Sequence, residues 1–111
     1  MKFGHVEMEK SDNPIVWDAL SKDEFDFVMR AKNVYEQCLR YSGRDVHEVN
    51  CAAGNILNGA YNYLFSFTKN ALTPNYMYDL NESYKDDGGW KAHCRKMTEA
   101  GIERALKALN E

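Results

Sequence analysis

The chain has 111 residues, 44 % hydrophobic and 28 % charged, which fits one globular domain and excludes wholesale disorder. Seventeen Asp plus Glu against fourteen Lys plus Arg leave a net charge of −3. That is too acidic for a non-specific nucleic-acid binder and too mild for a mimic of DNA.

Residues 1–12 are polar and weakly patterned and read as an N-terminal arm, flexible or extended, with no apolar run of the kind that marks a secretory signal. Residues 13–111 read as one helical-bundle domain. Asn13-Pro14 has the form of a helix start, an N-cap followed by a proline whose missing N–H costs nothing there. It predicts a short helical plug over Pro14–Leu20, carrying Ile15, Val16, Trp17 and Leu20. Ser21-Lys22-Asp23-Glu24 is a capping-box pattern. The helix that follows, to Ser42, places Val28, Ala31, Tyr35, Cys38 and Leu39 on one face, widened by Phe27 and Val34. Its polar face offers an Asp26–Arg30 pair, and Gly43 is the expected left-handed stop.

Asp45 repeats the capping logic for a second helix, to about Asn70, with Val46, Val49, Ala53, Ile56, Ala60, Leu64 and Phe67 inward. Ala52, Ala53, Gly54, Gly59 and Ala60 would let a neighbouring helix approach closely. Val49–Thr68 holds no Asp, Glu, Lys or Arg, yet its four asparagines argue against a membrane span. A short helix over Pro74–Lys85 and a turn at Asp86-Asp87-Gly88-Gly89 lead to a last helix over Trp90–Asn110. Its predicted stripe is Trp90, Cys94, Met97, Gly101, Ala105 and Ala108, with Ile102 and Leu109 beside it. The expected fold is all-α: an up-and-down bundle of three long helices plus short ones, preceded by the arm.

The second helix has an unusual outer face. His47, Cys51, Asn55, Asn58 and Asn62 share one side, with Tyr61 and Phe65 adjoining, where a solvated helix normally carries Lys, Glu and Arg. Neutral amides and aromatics suit a surface covered by another protein or a second copy, since neither is costly to desolvate once hydrogen-bonded. Enclosure by the chain's own helices and a small-ligand pocket are the alternatives. Asn55, Asn58, Tyr61, Asn62, Phe65, Tyr76 and Tyr78 are the expected partner-binding residues.

Chemistry is sparse. His47 and Cys51 are spaced for two ligands on one metal, but structural zinc needs four, and Cys38 and Cys94 fall on apolar faces. Three cysteines without a CxxC read as free thiols of a reducing compartment. No metal and no cofactor are expected. Lys91, His93, Arg95 and Lys96 cluster at the start of the last helix, but the acids of the preceding turn offset them. A helix-turn-helix over His47–Leu64 would meet phosphates with no Lys or Arg, so nucleic acid is not the expected partner.

Arg40 and His47, with six residues between them across a helix–helix turn, resemble the Arg-x4–6-His motif of HEPN ribonucleases, which are also small helical bundles and often dimers. The resemblance covers that motif alone, and Tyr41 stands where those enzymes place a polar residue. It implies His47 as acid or base on a ribose 2′-hydroxyl and Arg40 as the stabiliser of the phosphorane charge. The residues themselves favour binding over catalysis: a small cytoplasmic adaptor, inhibitor or immunity-type protein, of the size phage anti-defence proteins have, occluding a partner's surface as a homo-oligomer. A bundle holding a nucleotide or second messenger between helices or subunits is the second reading, and the HEPN-like ribonuclease the third.

Overall fold

A computed structural model describes residues 1–9 and 12–110. Two minimal strands, β1 (Lys2–Phe3) and β2 (Val6–Glu7), pair antiparallel and precede four helices: α1 (Lys22–Arg40), α2 (Val46–Phe65), α3 (Tyr78–Ser83) and α4 (Trp90–Leu109). The fold is all-α apart from that hairpin, as the sequence leads one to expect. Among the described residues no helix is long and apolar enough to cross a membrane.

Helix α1 starts as predicted. The Ser21 hydroxyl accepts from the Glu24 amide, and the Glu24 carboxylate accepts from the Ser21 amide, so two helix-start donors are satisfied reciprocally. It stops two residues early. Tyr41 turns extended and its ring folds over Gly43, where a β-carbon would collide with the phenol. Gly43 is therefore needed for space and not for a left-handed turn, which corrects the expected stop. Asp26 pairs with Lys22 at 2.6 Å in place of Arg30.

The three long helices run up, down and up. Glu48 near the start of α2 meets Arg104 near the end of α4, while Gly59 meets Thr98, so these two are antiparallel. Lys91 and Arg95 reach Glu24 and Asp23, so α4 runs parallel to α1. The seam between α2 and α4 is the most extensive helix contact among the described residues. A β-carbon at Gly59 would overlap the Thr98 hydroxyl and lie 3.2 Å from the Thr98 Cα, and one at Gly101 would lie 3.2 Å from the Ile56 backbone nitrogen. Ile56, Ala60, Thr98 and Ile102 lose all exposure there. Burying each large aliphatic side chain is worth about 1.5–3 kcal/mol.

The inward stripe of α4 is rotated from the expected one: Met97 is exposed and Thr98 is buried. Gly59 leaves room for the β-branched Thr98, and its hydroxyl is satisfied by the Cys94 carbonyl at 2.7 Å, so a polar residue fits the core. Asp45 makes no side-chain cap, and α2 ends at Phe65, earlier than Asn70. Val46 and Leu39, both expected inward, are exposed.

The N-terminal residues belong to the core. Phe3 and Met8 are fully buried, and Phe3 lies 5.9 Å from the Tyr35 ring. Gly4 turns the hairpin at φ 59° so close to Leu39 that no side chain fits. Residues 1–9 thus dock on α1 where the sequence suggests only a polar arm; Lys10 and Ser11 lie outside the described residues. Pro14 does not open a helix. Ile15 bridges Thr68, the only helical turn there is Trp17–Ala19, and Asn13 uses its side chain to receive the Asn70 amide at 2.8 Å and to reach Thr68 Oγ1 at 3.1 Å. Glu9 closes the strap by accepting from the Ile15 amide and the Trp17 indole.

Candidate functional site

Helix α2 turns its asparagine face to solvent. Asn55, Asn58 and Tyr61 are exposed and Asn62 is half-buried, so the chain's own helices do not enclose this face. Asn62 donates to Asn58 at 3.3 Å, a helical i,i+4 contact that leaves other polar atoms of both amides available. Asn55 and Asn58 line a shallow groove of about 260 Å³ with Met97, Ala100, Gly101 and Arg104 of α4. The groove is shallow because Gly101 draws α4 to within contact of Asn55 and Ile56. Met97, 50 % exposed, adds apolar surface that the sequence reading assigns to the core.

Phe65 carries the face to the end of α2, where its ring lies 6.4 Å from that of Tyr76. The segment between α2 and α3 then shows Leu72 and Tyr76, the latter at 53 % exposure, followed by Tyr78 at 61 % and Leu80 in α3. The expected anchors therefore divide into two groups, Asn55 to Phe65 along one helix and Tyr76 and Tyr78 beyond it, joined through the Phe65–Tyr76 contact. Leu72 and Leu80 also belong to this surface; Leu72 lies in the irregular segment after α2, which has no periodic signature in the sequence, and Leu80 in the short helix α3.

Beside this segment opens a cavity of about 750 Å³, between the end of α2, residues 71–77, α3 and the start of α4. Tyr63 of α2, Ser66 just after it, Met77, and Asn81 of α3 form part of its wall; Lys91 and Arg95 of α4 line it together with Glu24 of α1. Burial, then the negative charge of Glu24, pushes the Tyr63 phenol up to about 12, so it stays protonated at neutral pH. Burial also raises Glu24, but the Lys91 ammonium and the Ser21 amide outweigh it and leave this carboxyl below its ordinary value. The Ser66 hydroxyl and the Trp90 indole N–H are buried without a partner among the described residues. Trp90 belongs to an aromatic group behind the Gly88-Gly89 turn, in which Tyr84 and His93 stack with centroids 4.2 Å apart.

The basic groups at the start of α4 are each held by a carboxylate. Lys91 meets Glu24 at 2.8 Å, Arg95 meets Asp23 at 2.8 Å, and His93 and Lys96 share Asp87 at 2.7 and 3.3 Å. Arg95 also covers the Phe27 ring at 4.5 Å. This is not the open basic stripe that duplex backbones require.

His47 and Arg40 are both exposed. The His47 ring lies 3.6 Å from Cys51 Sγ, and Arg40 lies near the Glu36 carboxylate. Among the described residues no three of His, Cys, Asp or Glu gather as a metal site. Cys38 and Cys94 are buried, and burial pushes the Cys94 thiol up to about 11, so it is a packing residue at neutral pH and a poor nucleophile. Comparison with protein-family models, with curated proteins and with solved structures finds no match to this chain, so its function is argued from these surfaces.

Proposed function

We propose that this chain is a small cytoplasmic binding module that covers a surface of another protein, with copies of itself assembled through the asparagine face of α2. The observation that supports this most is the exposure of Tyr76 and Tyr78 beside Phe65, continuous with the neutral face of Asn55, Asn58, Tyr61 and Asn62. Exposed aromatic anchors bordered by amides have the composition of interface cores, where Tyr is enriched and charge depleted. An adaptor or inhibitor of the anti-defence type works in this way, by occlusion, and needs no catalytic group.

Native mass spectrometry of the purified protein tests the assembly. The expected result is a discrete oligomer that Asn58→Arg dissociates without changing the helical circular dichroism, because a buried unpaired guanidinium is costly at an interface. A wild-type monomer, or an oligomer indifferent to Asn58→Arg, sinks the assembly role of this face. Tyr76→Ala with Tyr78→Ala then addresses the partner surface: the wild-type chain cross-links through residues 72–80 to a defined protein, and the double variant loses that product.

A further inference from the structure

We propose that the cavity at the start of α4 binds a small phosphomonoester with an apolar body. Its volume, about 750 Å³, lies in the range of small-molecule sites. Cationic side chains Lys85, Lys91 and Arg95 line it against the single carboxylate of Glu24. The acids that hold Lys85 and Arg95, Glu82 and Asp23, are not part of its lining. Each of these ion pairs occupies only part of a cation's donors, since an ammonium has three and a guanidinium five.

Backbone geometry adds to the charge. Helix α4 is 20 residues long, has no acidic residue in its first turn, and has no side-chain cap from Gly89. The Trp90 amide is satisfied by Asn81 Oδ1 at 3.0 Å, and the first intrahelical bond is that of His93 to the Gly89 carbonyl. The amides of Lys91 and Ala92, both cavity residues, are left without a partner among the described residues. Such a helix start holds phosphate through free N–H groups aligned with the helix dipole.

Ser66 is an independent pointer to a ligand. It lines the same cavity, is 9 % exposed, and its hydroxyl has no partner among the described residues. A buried unpaired hydroxyl is costly, and a rotation about χ1 gives it a phosphate oxygen to bond. Ala71, Met77, Ala92 and the Tyr63 ring supply the wall for the ligand's apolar body. The head favours a phosphomonoester over a carboxylate because two amides, a hydroxyl and several ammonium donors exceed what two planar oxygens can take up.

Titration of the 15N-labelled protein with phenyl phosphate, at constant ionic strength, tests the site, with inorganic phosphate and benzoate as the comparison ligands. The expected result is saturable movement of the Lys91 and Ala92 amides, tighter with phenyl phosphate than with inorganic phosphate and weakest with benzoate. Ser66→Ala is expected to weaken phenyl phosphate about three- to tenfold, the size of one hydrogen bond, while the ligand-free melting temperature holds or rises. The exposed Lys85, replaced by Ala, is expected to weaken binding without disturbing the fold. No saturable shift at these amides, equal response to benzoate, or unchanged affinity in both variants overturns the proposal.

Discussion

The seam between α2 and α4 and the corner formed by residues 66–93 are built on opposite plans. In the seam, small residues let the helices touch, and its one buried hydroxyl, Thr98, is bonded to a carbonyl on its own helix. In the corner, a six-residue helix and a turn of left-handed glycines border an open cavity, and two buried polar atoms have no partner among the described residues. Amide side chains help to hold the corner, Asn13 to Thr68 and Asn70 and Asn81 to Trp90, beside the backbone bridge of Ile15 to Thr68. Close packing over many residues makes stability, whereas unpaired donors and exposed aromatics are the features on which the two proposed binding roles rest. The two plans meet on α4, whose start borders the corner and whose middle forms the seam.

The largest expected effect breaks the seam. Gly59→Ala forces the Thr98 side chain and backbone away, and overpacking of this kind costs about 1–3 kcal/mol. In a domain of this size that lowers the melting temperature by roughly 4–8 °C per kcal/mol, measurable by thermal circular dichroism. An unchanged melting temperature would mean that the helices do not approach as closely as the structure has them. The corner cavity and its ligand response should survive as long as the variant remains folded.

Gly54→Ala, five residues earlier, is expected to act in the opposite direction. Nothing lies within 4 Å of a β-carbon there, so the variant keeps the helix-propensity gain of up to about 1 kcal/mol with no clash. Its melting temperature should rise. Gly54 shares its helix face with Asn58 and Tyr61, so the same variant also probes the assembly: higher stability of the isolated chain with loss of the oligomer would mark Gly54 as a contact point between copies.

How far the sequence could be read follows the same division. Repeating apolar spacing predicts α1, α2 and α4, and the capping box at Ser21 is found as expected. The small residues of α2 announce a close neighbour but do not say which, and hydropathy alone puts Met97 inward in place of Thr98, because a satisfied hydroxyl is invisible to it. Phe3 and Met8 stand alone in a polar stretch with no period, so their burial depends on Tyr35 and Leu39 far along the chain. Asn13 looks like a local cap and is a non-local strap. The asparagine face is legible because it sits on a regular helix. The cavity is not, since its walls come from α1, α2, α3 and α4 and from bonds spanning most of the chain.

Acid is expected to produce the smallest effect, and in the corner it acts through Asp87. The Asp87 carboxyl is held below its ordinary value of 3.8, first by its bond to His93 and then by its bond to Lys96. A depressed carboxyl contributes stability that is complete above the ordinary value and is lost as pH falls below it through the depressed one. Protonation then releases His93 and Lys96 from the turn that precedes α4. In an NMR pH titration the Gly88 and Gly89 amides should report this step below pH 3.8, and Asp87→Asn should abolish it while leaving the Gly59 and Thr98 amides of the seam unmoved. Equal movement of seam and corner would show that the two fold as one unit, and the contrast between them would then be one of packing alone.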